Sequence, residues 1–377
     1  MWKWGIYMYL KNINLNNFRN YDTLSLEFSK GINIIYGNNA QGKTNLLESI
    51  YVLGLVQTFR QSSLDDMLKK NTDIFKIKGQ LHSLDGTCDM EIMYSNNNKK
   101  LSHDLRKILK INDYIKKTKI IVFSPEDLFL LKDSKMRRRK YFDIQISQLN
   151  NNYFRILKEY NDLLKIRNNI LRKDNIDETY LKVLTKSLAQ RIIVILKNRY
   201  KYIDYLNQYV EPIYYKLTGI HDLNIIYKSN INLEKLSSIT YVDDLVKIIE
   251  ENYTLEKKLH KTVIGPHIDD YEIYIQDNNI KNYGSQGQQR IALLAIKLAE
   301  IELFKEKIGE YPILLLDDVF SELDCDKKNN LLNYIDFDIQ TIITTTDLKY
   351  FNQDILGKSK LIEICNGKII RGDIDGR

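Results

Sequence analysis

The sequence has 377 residues, enough for two or three structural units with a sizeable core. Hydrophobic residues make up 44% of it, no apolar run reaches membrane-spanning length, and the start lacks the features of a signal peptide. Cys88, Cys325 and Cys365 are scattered and predict neither a disulfide framework nor a zinc site. We therefore expect a cytoplasmic protein with no membrane partner. The net charge of +7 permits nucleic-acid binding without requiring it.

A phosphate-binding loop is predicted near the N-terminus, where GNNAQGKT fits the pattern G-x-x-x-x-G-K-[ST]. Residues 32–35 before it form an apolar run typical of a buried strand, and apolar residues after it recur at helical spacing. Glycines let the backbone N–H groups turn inward towards phosphate, and the helix N-terminus adds positive potential. Lys43 would reach the outer phosphates and Thr44 would bind Mg²⁺. The predicted nucleotide site comprises Gly37, Asn38, Asn39, Ala40, Gln41, Gly42, Lys43 and Thr44. The alternative is an ordinary Gly/Asn turn before a helix.

A second motif, YPILLLDDVFSELD, lies near the C-terminus. Its apolar run predicts a buried strand with Asp317 and Asp318 at the carboxyl end, where ligands gather in open α/β sheets. We assign Mg²⁺ binding to Asp317. Asp318 is then the catalytic candidate, placed to orient or deprotonate the attacking water. The alternative is a strand-end turn that leads into a helix cap.

A third motif, YGSQGQQR, opens a helix with one apolar face. A serine hydroxyl and glycine-flanked amides at a helix N-terminus form a second anion site. The residues of this signature are Ser285, Gln286, Gly287 and Gln288. The alternative is simple helix capping by Ser285.

The three motifs in this order resemble the ABC-type ATPase head, in particular its SMC-like branch. The resemblance implies an α/β fold and a signature that contacts the γ-phosphate bound by the opposite protomer, so that two ATP molecules lie between two heads. Residues 317–324, DDVFSELD, also resemble the Walker B motif of that group followed by its D-loop at 321–324.

Lys43 and Asp317 must meet at one nucleotide although they stand near opposite ends of the chain. We therefore predict a split sheet, with head halves at residues 1–132 and 260–377 and an inserted helical lobe at 133–259. Helical periodicity dominates the insertion, including a stretch at 180–217 that we expect to be interrupted at Pro212 and closed by Gly219. No heptad pattern lasts long enough for a long coiled coil.

Several segments narrow the resemblance to the RecF family of bacterial DNA replication and repair proteins. They are YLKNINLNNFRNY at 9–21, FSPEDLFLLKDSKMRRRKYFD at 123–143, VIGPHIDDYEI at 263–273 and the YGSQGQQR signature. The resemblance implies an ATP-dependent homodimer that binds double-stranded DNA and single/double-strand junctions. It also implies a role in loading recombinase at gaps, together with RecO and RecR.

The chain departs from many ABC heads in two places. Residues 124–126 stand where many heads have a glutamine, and Thr346 precedes Asp347 where many have a histidine. We expect a weak, DNA-stimulated ATPase in which ATP acts chiefly as a dimerisation switch. Ile268 stands where the family usually has arginine, and His267 is expected to be structural.

The run at 135–140 supplies candidate DNA contacts in Arg137, Arg138 and Arg139. The alternatives are a solvated helix start or arginines bonded internally at a domain junction. Arg60 is a further weak candidate, facing either DNA or the nucleotide.

Two other functions remain open from sequence. An ABC transporter nucleotide-binding subunit is disfavoured by the large insertion, the form of the signature and the missing glutamine and histidine. A P-loop ATPase linked to a nuclease needs another acidic module, and only about fifty residues follow Asp324.

Overall fold

The computed structural model describes residues 8–232, 241–322, 328, 331–332 and 338–372. The chain divides into two compact units. The first combines Met1–Asp127 with Glu300–Arg377, and the second is Leu128–Ala299.

The strands follow one another along the whole described chain. They are β1 (Tyr9–Phe18), β2 (Tyr21–Glu27), β3 (Ile32–Tyr36), β4 (Ile74–Ser83), β5 (Gly86–Ser95), β6 (Asn98–His103), β7 (Arg106–Ile108), β8 (Ile120–Phe123), β9 (Leu223–Lys228), β10 (Asp270–Ile275), β11 (Asn278–Asn279), β12 (Ile313–Asp317), β13 (Thr341–Thr345), β14 (Lys360–Cys365) and β15 (Lys368–Gly372).

The helices are concentrated in the second unit. In chain order they are α1 (Lys43–Leu55), α2 (Ile111–Ile115), α3 (Phe129–Lys132), α4 (Lys135–Leu149), α5 (Asn151–Leu171), α6 (Glu178–Thr218), α7 (Tyr241–Glu251), α8 (Tyr253–Leu259), α9 (Ile280–Tyr283), α10 (Gln286–Ile308), α11 (Val319–Glu322) and α12 (Gln353–Lys358).

A largely parallel sheet in the first unit joins the two ends of the chain. Its order is β15-β14-β3-β13-β12-β8, and β3, β8, β12, β13 and β14 run parallel. β8, β12 and β13 are buried throughout, which explains their continuous apolar runs. Because β13 lies between β3 and β12, the loops that follow β3 and β12 leave the same edge of the sheet. The expected split sheet is confirmed.

A second sheet of the first unit is antiparallel, in the order β2-β1-β4-β5-β6-β7. In β1, Ile13 and Leu15 are buried while Asn12, Asn14 and Asn16 are less buried or exposed. This alternation is typical of a sheet with one face on the core and the other in water. The strand β7 forms one edge of this sheet and has three residues.

The second unit is built around α5 and α6, which pack against each other, with the small sheet β11-β10-β9 beside them. Contrary to the expected interruption at Pro212, α6 continues through it to Thr218. Proline removes a helical hydrogen bond, but Val210, Ile213 and Tyr214 are buried around it, and this packing holds the helix together. Gly219 closes α6 in the left-handed conformation, as its sequence predicts.

The boundary between the units differs from the predicted domain limits. We predict that the second half of the head begins at residue 260, whereas the second unit extends to Ala299 and ends inside α10. The reason is strand pairing: β10 pairs along its length with β9 and therefore belongs with the helices. This long-range pairing has no local signal in the sequence.

A buried ionic network stabilises the second unit. The Arg199 guanidinium donates to both carboxylate oxygens of Asp143 at 3.0 and 2.9 Å and to the Pro266 carbonyl at 2.7 Å. It also lies 3.8 Å from the carboxylate of Asp269, to which Tyr227 donates. Both carboxylates are largely buried and depend on this single arginine for charge compensation.

Arg199→Leu is expected to lower the free energy of unfolding by about 3–5 kcal/mol, because it leaves buried carboxylates without a cation. Arg155→Leu is the matched control, since Arg155 forms an exposed pair with Glu159 on α5 and should cost less than about 1 kcal/mol. Urea unfolding followed by far-ultraviolet circular dichroism measures both. Equal, small losses would contradict the role of this network.

His267 is structural in this arrangement. Its Nδ1 lies 2.5 Å from the Tyr160 hydroxyl and its Nε2 lies 3.0 Å from the Thr262 carbonyl. Both ring nitrogens are therefore engaged. Burial lowers the pKa of His267, which favours the neutral ring.

Candidate nucleotide-binding site

The loop between β3 and α1 has the backbone conformation that its glycines permit. Gly37 and Gly42 have φ of 146° and 110°. A Cβ atom at Gly37 would lie 2.3 Å from the Ile364 carbonyl oxygen, and one at Gly42 would lie 2.6 Å from Asn20 Nδ2. Both glycines are thus required by backbone conformation and by close neighbours. An ordinary turn needs no such bracing by neighbouring backbone.

Two hairpin turns brace this loop from outside. The Tyr21 hydroxyl donates to the Gly42 carbonyl at 2.9 Å, and Asn20 accepts from the Asn45 side chain at 2.8 Å. On the other side, the Gly367 amide donates to the Gln41 carbonyl at 3.1 Å. Sequence reasoning missed these residues, since a β-turn far along the chain carries no local sign of its partner.

Lys43 lies at the first position of α1 and turns back over the loop. Its Nζ donates to the carbonyls of Gly37 at 2.6 Å and Asn38 at 2.7 Å. Burial lowers the pKa of Lys43, and the nearby carboxylates of Asp317 and Asp318 oppose this shift. The ammonium is therefore held between the loop carbonyls and two acidic groups, inside the loop where anions are expected.

The two predicted Mg²⁺ ligands come together. Asp317 at the end of β12 accepts hydrogen bonds from Thr44 Oγ1 and Thr344 Oγ1, both at 2.8 Å. The Asp317 side chain is 6% exposed, and burial raises its pKa. Thr344, on the strand between β3 and β12, is a residue that sequence reasoning missed. It fixes the Asp317 carboxylate in register with the loop.

Asp318 has an unusual conformation beside this pair. Its φ is 49°, in the left-handed region that non-glycine residues seldom adopt, and its amide donates to Thr344 Oγ1 at 3.0 Å. Its carboxylate Oδ1 is buried and has no hydrogen-bond partner among the described residues. Strained backbone and an unsatisfied carboxylate oxygen are both features of functional sites.

A charged cluster supports the outer side of α1. The buried Glu48 accepts from Arg19 at 2.9 and 3.0 Å and from Thr58 at 2.6 Å. Arg60 lies 3.5 Å from Glu48, 3.1 Å from Asn45 Oδ1, and lowers the pKa of Asp317. Of the two predicted environments for Arg60, the geometry favours the nucleotide side.

The signature motif lies in the second unit, at the start of α10. Ser285 Oγ accepts from the Gln288 amide at 3.3 Å, and the Gln288 side chain accepts from the Ser285 amide at 2.9 Å. This reciprocal pair is a capping box. The helix has no acidic residue in its first turn, so its N-terminus remains electropositive. The capping alternative and the anion-site prediction are compatible, since the exposed end still presents free amides.

The predicted departures from other heads occupy ordered turns. Ser124 donates its amide to Asp127 at 2.8 Å, and Glu126 accepts from the Gln61 amide at 3.2 Å. Asp347 caps a short turn by accepting from the Lys349 amide at 2.9 Å. Leu323 and Asp324 of the predicted D-loop, together with Cys325, lie outside the described residues.

The arginine run requires a correction. Arg138 is 5% exposed and donates to both carboxylate oxygens of Asp270 at 2.7 and 2.9 Å. Arg139 donates to the Asp269 carbonyl at 2.6 Å, and Arg137 pairs with Asp133 while lying 4.3 Å over the Phe129 ring. These internal bonds favour the alternative of internal bonding over DNA contact. Sequence alone missed it because the acidic partners of Arg138 and Arg139 lie on and beside the distant strand β10.

The donor set fits a hard divalent cation and a polyphosphate. Thr44 and Asp317 offer a hydroxyl and a carboxylate 2.8 Å apart, and Mg²⁺ sites commonly use one or two such ligands with substrate phosphates. Accordingly, no cluster of three or more His, Cys, Asp or Glu residues suited to a metal occurs in the described ranges. Nor does any described helix have the length and apolarity needed to span a bilayer.

Comparison with known proteins gives a consistent result. The model of the RecF/RecN/SMC N terminal domain matches residues 9–366. The DNA replication and repair protein RecF of Exiguobacterium sp. is 38% identical over 371 residues, covering 96% of this chain and 99% of the relative. The protein of the same name from Clostridium botulinum is 40% identical over 373 residues, covering 97% and 100%.

Solved structures agree with these relatives. The structure of the recombination mediator protein RecF-ATP in the RecFOR pathway has a TM-score of 0.92 and 34% identity, covering 99% of this chain and 100% of that one. An SMC head bound to the C-winged helix domain of ScpA has a TM-score of 0.56 at 14% identity, covering 96% and 97%, and shares the fold alone. The predicted class, an ABC-type/SMC-like ATPase head, is confirmed.

Proposed function

The chain belongs to the RecF family of DNA replication and repair proteins, and from this premise we propose that it is an ATP-dependent DNA-binding protein of recombinational repair and replication maintenance. ATP drives its dimerisation on double-stranded DNA or single/double-strand junctions. The dimer helps load recombinase at gaps with RecO and RecR, in the cytoplasm. The solved relative named for its complex with ATP supports the choice of nucleotide.

One observation carries the nucleotide part of this proposal: Lys43, Thr44, Asp317 and Asp318 meet at the carboxyl edge of a split parallel sheet. The loop amides and Lys43 bind phosphate oxygens, and Thr44 and Asp317 bind Mg²⁺. When bound, Mg²⁺ neutralises charge that develops on the phosphates during hydrolysis. Thr344 keeps the Asp317 carboxylate oriented for this purpose.

Dimerisation depends on the signature. The electropositive start of α10, with Ser285, Gln286, Gly287 and Gln288, meets the terminal phosphate held by the loop of a second copy. Neither protomer then has a complete site alone. Hydrolysis is slow, because neither the turn at residues 124–126 nor Thr346 supplies the glutamine or histidine side chain found in many related heads.

Asp318→Asn is expected to retain ATP affinity while hydrolysis falls by about 10²-fold, the range for loss of a positioned general base. Asparagine tolerates the left-handed backbone at this position, so the fold should be unaffected. Phosphate release under single-turnover conditions measures the rate. Glu322→Gln, in the same segment, is the matched control. Unchanged hydrolysis in Asp318→Asn would remove its catalytic assignment.

The DNA part is tested by fluorescence anisotropy of labelled duplex with Mg²⁺ and either ATP or ADP, at one fixed salt concentration. The proposal predicts tighter binding with ATP. Equal binding with both nucleotides would contradict an ATP-controlled DNA clamp.

A further inference from the structure

The hairpin formed by β6 and β7 is a concentrated basic element outside the nucleotide site. Residues 98–117 carry seven Lys or Arg side chains and two Asp side chains, a net charge of +5 in a chain whose total is +7. Arg106, Lys107 and Lys110 are exposed. The positive charge of the protein is therefore not spread evenly, and this segment attracts anions.

The tip of this hairpin has a strained and exposed leucine. Asp104 and Leu105 form the two-residue turn between paired His103 and Arg106, and both have positive φ, 48° and 64°. Turns of this kind favour Asn-Gly or Asp-Gly. Leucine at the second position is conformationally costly, and its side chain is 91% exposed, so no packing offsets the cost.

The turn is fixed in place from one side only. Asp104 exchanges two hydrogen bonds with Asp89, one from its own amide to the Asp89 carbonyl and one from the Asp89 amide to its carboxylate, both 2.9 Å. Leu105 makes no comparable contact, and Leu109 beyond β7 is 83% exposed. The hairpin thus presents apolar side chains on a rigid, positively charged mount.

Protection of a sheet edge is the simplest other explanation. Short edge strands rich in lysine discourage pairing with other chains, and β7 has three residues. That explanation accounts for the cations but not for Leu105 and Leu109, which add exposed apolar surface. The same short, charged edge also makes strand addition by a protein partner unfavourable.

We propose that the β6–β7 hairpin contacts DNA at single/double-strand junctions, with Leu105 packing against the terminal base pair and Arg106, Lys107 and Lys110 binding flanking phosphates. Apolar side chains inserted at base steps are a known means of recognising deformable or open DNA, and a junction exposes one base-pair face without unstacking. Cations beside such a wedge supply affinity, whereas the wedge supplies selectivity. This inference rests on the proposed function.

The selectivity test uses Leu105→Asn in the full-length protein with ATP and Mg²⁺. Asparagine suits the left-handed turn, so thermal stability should be equal or higher. Wild-type protein is expected to prefer a tailed duplex over a blunt duplex of equal length, and the variant should lose about tenfold of that preference, the change expected from one buried leucine. Fluorescence of 2-aminopurine at the junction base pair should respond to wild type and not to the variant.

The affinity test replaces the three cations together, as Arg106→Gln, Lys107→Gln and Lys110→Gln. Affinity for both DNAs should fall, and the slope of log K against log salt should decrease by up to about 3, close to one unit for each phosphate contact. The matched control makes the same charge change at Lys158, Lys165 and Lys186, which are exposed on α5 and α6.

Different failures have different readings. If wild type binds DNA with ATP and both hairpin variants match it, the inference is overturned and the proposed function stands. If the control variant loses as much affinity as the hairpin variant, the hairpin has no special role and the inference is likewise overturned. If wild type shows no ATP-dependent DNA binding, the proposed function fails, and this inference fails with it.

Discussion

Lys43→Ala is expected to lower ATP affinity by about 10²–10⁴-fold. Lys43 makes two short hydrogen bonds to loop carbonyls and faces Asp317 and Asp318, so its ammonium is positioned to exchange carbonyl partners for phosphate oxygens. Charge-assisted hydrogen bonds contribute about 1.5–3 kcal/mol each, and losing two corresponds to that range of affinity. Titration with a fluorescent ATP analogue measures the dissociation constant directly.

The control for this substitution is Lys70→Ala, since Lys70 is an exposed lysine of the same unit. Its nucleotide affinity should equal that of wild type. Both variants should keep the wild-type melting temperature without nucleotide, because Lys43 is partly buried and gains little from folding. Undiminished nucleotide affinity in Lys43→Ala would mean that the loop does not hold the phosphates.

Ser285→Asp is expected to abolish ATP-dependent dimerisation while preserving the fold and ATP binding. Aspartate is among the best N-cap residues and can accept from the Gln288 amide as Ser285 does, so α10 should keep its start. Its negative charge, however, repels the terminal phosphate of a second copy. This substitution therefore separates capping from phosphate binding.

Ser285→Ala completes the comparison. It removes the cap as well as the hydroxyl and should cost about 1 kcal/mol of stability. Light scattering with ATP gives the mass of each variant. If Ser285→Asp dimerises as well as wild type, Ser285 serves only as a cap and the opposing half-site lies elsewhere.

The nucleotide site was accessible from sequence because its parts are local. The loop, the strand before it and the helix after it are consecutive, and their glycines and lysine have a fixed spacing. Asp317 and Asp318 follow a buried strand, and all such strand ends meet at one edge of a parallel sheet. The split sheet followed from the need to bring these separated motifs together.

Features that depend on distant partners were not accessible in the same way. Arg138 stands in a basic run, and only the fold shows that Asp270 neutralises it. Thr344 has no motif of its own, and its importance follows from the position of β13 between β3 and β12. The helix through Pro212 reflects burial by neighbours that override local propensity.

The strained tip at Leu105 is a further example. The dipeptide Asp-Leu does not predict a two-residue hairpin turn, whose usual residues are Asn-Gly or Asp-Gly. Pairing of β6 with β7 imposes the left-handed conformation on both residues. Strain at an exposed position became visible only in the fold, and it is the basis for assigning the hairpin a role.

Sedimentation velocity with Mg²⁺ and ATP, ADP or no nucleotide, each with and without duplex DNA, tests the central claim most directly. The account predicts a dimer that forms with ATP alone among these conditions and cosediments with DNA. A monomer under every condition would contradict it, because the signature would then complete no second site.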